Sequence, residues 1–303
     1  MYIGSVRFYK HVIYLGLALT LAGLVLGLYT LAKVLLDEFI MPSAGAAETV
    51  PLAAEVEVYL PPPEEAEEEP AEMLPGVIPL YQGVFPELYR EPVPLKEQEQ
   101  KTAYLTFDDG PSARTLEILD ILKEHEIKAT FFVVTKNCDP AILQRIVEEG
   151  HAIGIHSHSH RYKEIYRSVE DFLADFQAAY EVIYEATAVE PAIFRFPGGS
   201  VNTYNRGIYQ ELIAEMLRRG FVYYDWNIST LDTVPGMTPE QIVRQVLSSI
   251  NGQDTLFILA HDSLDKVNTV KALPEIINTI KARGYVFDKI ENSVKPVVFA
   301  YPD

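Results

Sequence analysis

Across residues 101–303, seven short apolar runs alternate with six amphipathic ones, and this restricts the chain more than any other feature of its sequence. The apolar runs are Ala103–Phe107, Ala129–Val134, His151–Ile155, Ile193–Phe196, Phe221–Tyr224, Leu256–Ala260 and Tyr285–Phe287, each of a length suited to a strand. Helical spacing falls between them, at Thr115–His125, Pro140–Glu149, Ser168–Ala186, Asn205–Arg219, Pro239–Ile250 and Asn268–Arg283. Gly150, Gly220 and Gly284 each close a helical run directly before a strand, where a left-handed residue ends a helix. Strands separated by helices pair in parallel, because each crossover returns the chain to the same end of the sheet. The pattern predicts an α/β fold with a parallel sheet, open or closed into a barrel, and places functional groups at the C-terminal strand ends.

The first hundred residues are of another kind. Val12 to Ala32 is a stretch of 21 uncharged residues, enough for a helix to span a hydrocarbon core of roughly 30 Å. Arg7 and Lys10 precede it, whereas Asp37 and Glu38 follow Lys33. Residues 1–40 therefore read as a single-pass anchor with a cytoplasmic N-terminus and an extracellular remainder. A cleaved signal peptide, which would make the protein secreted, is the second reading, drawn from the small residues Ser43, Ala44, Gly45, Ala46 and Ala47. The apolar stretch exceeds the ~7–15 residues of a signal core. Gly23 and Gly27 have the spacing that lets membrane helices approach, but a span rich in Gly, Ala and Leu produces it by chance, and the oligomeric state is left open.

Residues 41–100 hold 13 Glu, no Asp and only Arg90 and Lys96 as cations, with prolines throughout. Such a segment buries too little apolar surface to offset its ordering entropy, so it reads as a disordered acidic Pro/Glu-rich linker. Within it, residues 73–94 are less polar, with Ile78, Leu80, Tyr81, Phe85 and Tyr89, and suit an ordered arm lying on the domain at 101–303. The net charge of −18 argues against a nucleic-acid partner, which requires a basic face. Cys138 is the only cysteine, so no internal disulfide forms, and with no base paired to it the residue reads as a small apolar filler.

Polar residues cluster where the strands end. Asp108 and Asp109 follow the first, His156 and His160 the third, Arg195 lies on the fourth, Asp225 and Trp226 follow the fifth, and His261 and Asp262 the sixth. Any one of these could be structural; their common address points to a site. Two imidazoles four residues apart meet on one side of a helical turn, and with one carboxylate they would hold a metal while leaving positions for water and substrate. Adjacent carboxylates diverge, so one of Asp108 and Asp109 can bind the metal while the other accepts a proton from attacking water. Arg195 would keep that base ionised and oriented, and His261 could protonate a leaving amine. His158 reads as a supporting or surface residue.

Taken together, these residues resemble carbohydrate esterase family 4, the polysaccharide deacetylases with a NodB homology domain, over roughly residues 101–290. Thr106-Phe107-Asp108-Asp109-Gly110 is similar to the family's first motif, which implies Asp108 as catalytic base and Asp109 as metal ligand. His156-Ser157-His158-Ser159-His160 is similar to the second, implying ligands His156 and His160 with Ser157 bracing the loop. Arg195-Phe196-Pro197 corresponds to the third, whose Arg positions the base, and Asp225-Trp226 to the fourth. Leu259-Ala260-His261 corresponds to the fifth, with Leu259 lining an acetyl pocket and His261 as general acid. The resemblance implies a distorted (β/α)7 barrel of the NodB type, a divalent metal (zinc by default, cobalt or another ion also suited) and a substrate wall including Pro197, Gly198, Trp226 and Leu259.

The sequence departs from the family pattern in two places. Phe196 replaces a proline of the third motif, and Gly198-Gly199 stand where its aromatic would be, so the oxyanion donor becomes the Gly198 N–H in a looser wall. Val222 stands where an aspartate often orients the acidic histidine, which leaves Asp225 and Asp232 as alternatives for that role. The expected function is a membrane-tethered N-deacetylase of an extracellular glycan, with peptidoglycan as the first substrate and chitin-like oligosaccharides as the second. O-acetyl ester hydrolysis on the same scaffold and non-catalytic wall binding are the rival readings.

Overall fold

The computed structural model describes residues 78–96 and 98–302. The expected membrane anchor, the signal-peptide alternative and the linker up to residue 77 lie outside the described residues. Among the described residues, no helix is long and apolar enough to cross a membrane.

The strands are β1 (Thr102–Asp108), β2 (Thr130–Val134), β3 (Ala152–Ser157), β4 (Ile193–Phe194), β5 (Val222–Tyr223), β6 (Ile228–Ser229), β7 (Thr255–His261) and β8 (Val286–Asp288). The α-helices are α1 (Ala113–Glu124), α2 (Pro140–Glu148), α3 (Tyr162–Ile165), α4 (Val169–Thr187), α5 (Tyr209–Arg218), α6 (Pro239–Ser248) and α7 (Val267–Ala282). Short polar side chains start several of them. Ser112 and Thr115 cap α1 reciprocally, as Thr238 and Gln241 cap α6, while Asp139 caps α2 ahead of Pro140. All strand pairs are parallel, in the order β5-β4-β3-β2-β1-β7-β6. β7 runs along one edge of β1, while β8 and β2 divide the other, β8 beside Thr102–Tyr104 and β2 beside Thr106–Asp108.

Chain length forces this sheet to curl. A flat sheet in that order would set β5 and β6 about 29 Å apart at ~4.8 Å per strand. Only Tyr224, Asp225, Trp226 and Asn227 join them, and that link reaches roughly 17 Å fully extended. The two ends are therefore drawn together, and the joining residues form a seam. Asn227 pins it to β7 by accepting from Phe257 N at 2.8 Å and donating Nδ2–H to Thr255 O at 2.9 Å.

Strand parity sorts the side chains. Ala103, Leu105 and Phe107 of β1, Leu256, Ile258 and Ala260 of β7, and Phe194 and Phe196 belong to the large core shared with the helices. Tyr104, Phe132, Ile193, Tyr224 and Phe257 form a second cluster, and Thr106, Asp108, Leu259 and His261 share its parity. The expected alternation is present, with three differences, one being the four-residue helix α3, too short for a helical period to show. β6 is an eighth strand, too short at two residues for a hydrophobic period to show. α5 starts at Tyr209 rather than Asn205, because Asn205 accepts from Asn202 N at 2.8 Å and donates to Ser200 O at 2.9 Å, a local turn that competes with helix.

Residues 78–96 lie along the domain. Leu88 is buried, and Arg219, itself fully buried, donates to the carbonyls of Tyr81 at 3.0 Å, Val84 at 2.9 Å and Phe85 at 2.9 Å while pairing with Glu215 at 2.6 Å. Gly220 permits the approach: its φ is +81°, and a Cβ there would stand 2.4 Å from Arg90 O. Arg219→Ala would leave these part-buried carbonyls without donors and take a partner from the buried Glu215 carboxylate, so it should destabilise the domain by about 3 kcal/mol. Urea denaturation would measure the loss, and limited proteolysis should show new cleavage within residues 78–96.

Candidate active site

β1 and β7 carry the centre of the site in register, with Asp108 beside His261 and Thr106 beside Leu259. Asp108 is buried at the end of β1, where its Oδ1 accepts a hydrogen bond from Arg195 Nη1 at 2.9 Å. Arg195 is fully buried and uses every guanidinium nitrogen. Nη1 also donates to Thr106 Oγ1 at 2.6 Å, Nε to Tyr224 O at 2.8 Å and Nη2 to Asp225 O at 3.0 Å. The Phe132 ring lies 4.5 Å from its Cζ. Arg195 was expected to hold Asp108 ionised, but burial outweighs it: desolvation raises the Asp108 carboxyl above its ordinary value, with the Arg195 charge and hydrogen bond pulling down less strongly.

The backbone of Asp109 is left-handed, with φ 76°, and its side chain stays on the Asp108 side of the sheet, so that His156 Nε2 lies within 4.0 Å of both carboxylates. Asp109 Oδ1 lies 3.5 Å from His156 Nε2 and 3.2 Å from His160 Nε2, and the three ligand atoms fall within 4.8 Å of one another. Neither Asp109 Oδ1 nor His160 Nε2 has a hydrogen-bond partner although both atoms are buried. Two unpaired polar atoms facing each other are costly unless something charged sits between them, so the residues fit a divalent cation. His156 is prepared for it: Nδ1 lies 2.9 Å from Arg195 O, which fixes the proton there and leaves the Nε2 lone pair free. Burial pulls its pKa down to about 3, so the ring is neutral at pH 7.

The histidines do not meet across a helical turn. His156 is the penultimate residue of β3, and His160, after a tight loop, has a left-handed φ of 54°. Asp175 of α4 braces that loop by accepting from Ser157 Oγ at 2.5 Å, His158 N at 2.7 Å and Ser159 N at 2.8 Å, and Ser157 Oγ then accepts from His160 N at 2.8 Å. His158 points elsewhere, to Thr135 Oγ1 at 2.9 Å.

The two candidates for orienting His261 separate. Asp232 Oδ1 is 2.7 Å from His261 Nδ1, and its Oδ2 accepts from His261 N at 2.9 Å and Thr269 Oγ1 at 2.8 Å. Asp225 instead accepts from Ser200 N at 2.9 Å, Ser200 Oγ at 2.6 Å and Phe299 N at 2.7 Å. Burial alone would lower the His261 pKa, but the Asp232 hydrogen bond and charge, with Asp108 and Asp109 beyond, push it up to about 9.

The remaining wall residues lie nearby. Leu259 is buried beside Thr106, and the Pro197 carbonyl is held by Tyr166 Oη at 2.8 Å and Asn202 Nδ2 at 3.1 Å. Gly198 is exposed with φ +78°. Trp226 stands edge-on to Phe299 with centroids 4.9 Å apart.

Sequence reasoning missed Asp175, Thr106 and the role of Asp262. The last accepts from Gly110 N at 2.8 Å and Thr115 Oγ1 at 2.5 Å, and fixes the turn after Asp109. A Cβ on Gly110 would collide with that carboxylate at 2.1 Å. Cys138 is half-buried against the core, and burial raises its thiol pKa, as befits an unreactive filler.

Fold and site define the class: a parallel α/β enzyme with a candidate metal centre at the C-terminal rim of its sheet. The sequence profile described as polysaccharide deacetylase matches residues 95–217. A peptidoglycan-N-acetylglucosamine deacetylase of Bacillus cereus is 33% identical over 210 residues, 67% of this chain and 74% of its own length. Among solved structures, the catalytic domain of peptidoglycan N-acetylglucosamine deacetylase from Eubacterium rectale matches with a TM-score of 0.65 at 34% identity, over 70% of this chain and 97% of that one. A polysaccharide deacetylase of Bacillus cereus matches with a TM-score of 0.59 at 34% identity, over 66% and 97%. The chain belongs to the polysaccharide deacetylase family, hydrolases of carbon–nitrogen bonds other than peptide bonds.

The His261–Asp232 pair has a defined pH signature. The His261 pKa is raised above 6.5, so its contribution to stability is full below that value and lost as pH rises through about 9. Asp232 is depressed below 3.8, so its contribution is present above that value and lost only as pH falls further. In Asp232→Asn, His261 should titrate well below 9 by NMR, and the stability lost by the wild type between pH 6.5 and 9 should largely disappear.

Proposed function

We propose that this protein is a metal-dependent N-deacetylase that removes acetyl groups from N-acetylated amino sugars of peptidoglycan, releasing acetate. The observation that carries the reading is the convergence of the unpaired Asp109 Oδ1 and His160 Nε2 with His156 Nε2, only 4.0 Å from Asp108 Oδ2. The substrate class is supported by the peptidoglycan deacetylases among its relatives.

Asp109, His156 and His160 would hold the ion, zinc by default from this donor set. When bound, such an ion supplies Lewis-acid chemistry to an acetyl carbonyl and acidifies water. Asp108 accepts the proton of the attacking water, and its raised pKa makes it a stronger base than an ordinary carboxylate. Arg195 fixes that carboxylate in place through Oδ1 and leaves Oδ2 for the proton. The Gly198 N–H, which has no partner within the described residues, donates to the developing oxyanion. His261, protonated at neutral pH and held through Nδ1 by Asp232, presents Nε2–H to the departing amine. Asp109, one of the residues that would hold the ion, is among the groups that raise the His261 pKa, so filling that site would make His261 a better acid.

We further propose that residues 12–32 anchor the protein with this domain outside the cytoplasmic membrane, a reading supported by the charge pattern around that apolar stretch.

Acetate release from N-acetylated peptidoglycan fragments should follow a bell-shaped pH profile, the acid limb from Asp108 and the basic limb from His261. Chelation should abolish activity and zinc should restore it, while Asp109→Ala should lose bound metal and fall at least about 10³-fold in kcat/KM. Wild-type rates in Asp109→Ala would overturn the assignment.

A further inference from the structure

We propose that Phe299, with Trp226, forms a sugar-stacking subsite beside the reacting residue of the glycan, its ring packed against Gly199 where a wall side chain would otherwise stand. The class of ligand rests on the glycan deacetylase reading above.

The segment after β8 is built into the wall of the site. Asp225 N donates to Val297 O at 2.9 Å, Asp225 Oδ2 accepts from Phe299 N at 2.7 Å, and Tyr223 Oη donates to the Ala300 carbonyl. Asp225 is only 1% exposed, and burial raises its pKa. It touches neither His261 nor the candidate ligands, so this costly buried carboxylate serves to hold the Ser200 loop and Phe299 together.

The Phe299 ring sits where a wall side chain would otherwise be. Gly199 has φ +87°, and a Cβ there would lie 3.0 Å from Phe299 Cε2 and 3.2 Å from Trp226 Cη2. Phe299 meets Trp226 edge-on at 80°, yet the residue stays 48% exposed. Trp226 in turn lies 5.8 Å from the guanidinium that holds Asp108. On the other side of the glycine pair, Tyr162 packs on His160 at 5.1 Å and on Tyr204 at 5.1 Å. Aromatic groups thus stand on both sides of the glycine pair. A half-exposed aromatic residue, fixed by the hydrogen bond of its backbone to the buried Asp225 rather than by burial of the ring, fits the C–H face of a pyranose.

Trp226 is the chain's only tryptophan, so its fluorescence reports on this subsite independently of turnover. Titration of the metal-loaded protein with N-acetylglucosamine tetrasaccharide should show Phe299→Ala binding about three- to tenfold more weakly than wild type. KM for the tetrasaccharide should rise by the same factor with kcat held within about twofold. Phe299→Tyr should keep wild-type affinity, and Phe299→Leu, which fills space without an aromatic face, should behave as the alanine variant. Wild-type affinity in Phe299→Leu or Phe299→Ala would overturn the subsite, as would absence of tetrasaccharide binding to the wild type. Phe299-dependent binding without acetate release would support the subsite and overturn the deacetylase reading alone. Acetate release with unchanged KM in every variant would do the reverse.

Discussion

The buried guanidinium of Arg195 ties the site to the fold. It comes from just beyond β4, yet its hydrogen bonds end on Thr106 and Asp108 of β1 and on the carbonyls of Tyr224 and Asp225 in the seam between the sheet's ends. A buried cation is tolerated only when its donors are met. Here the carbonyls that meet them belong to the short link that makes the sheet curl. Curling of the sheet and placement of Asp108 thus rest on the same hydrogen bonds, and a shift of the seam would move the carboxylate with it. The same residue's carbonyl orients His156, so the candidate base and one candidate ligand share a single support.

Much of this was legible in the sequence for physical reasons. Apolar runs of strand length and helices closed by glycine follow local rules, and Gly150, Gly220 and Gly284 all have φ near +81° to +83°. Parity explains why Thr106 and Asp108 can share a face with Leu259 and His261 once β1 and β7 lie in register. Long-range partners were not legible. Asp175 is one acidic residue among several on an amphipathic helix, and nothing local marks it as the brace of the histidine loop. The choice between Asp232 and Asp225 also depended on where loops return in space, since both are acidic residues following a short strand.

The glycine pair shows how a local departure can be met by a distant part of the chain. Gly198 and Gly199 remove side chains from the wall, and their place is taken by Tyr162 on one side and by Phe299, about a hundred residues later in sequence, on the other. Asp225 links the two changes, because its carboxylate accepts from the Ser200 loop on one side and from the Phe299 backbone on the other. An aspartate that the fourth motif would suggest for acid–base support is instead a structural clasp, and Asp232 takes the histidine.

Adjacent carboxylates on a strand point to opposite faces, so they can share one site only if the backbone departs from the strand between them, as it does at Asp108 and Asp109. Asp108 is the last residue of β1 and keeps strand parity, so its side chain faces Arg195 inside the sheet. Asp109 has φ 76°, a conformation that costs a non-glycine residue roughly 1–2 kcal/mol. Asp262 supports that turn by holding the Gly110 N–H at 2.8 Å, a contact only glycine is small enough to allow. Without the left-handed turn, Asp109 would continue the strand and point away from Asp108 across the sheet, far from both histidines. The strain at Asp109 is therefore what converts two neighbouring acids into one group aimed at the candidate metal and another aimed at the candidate substrate.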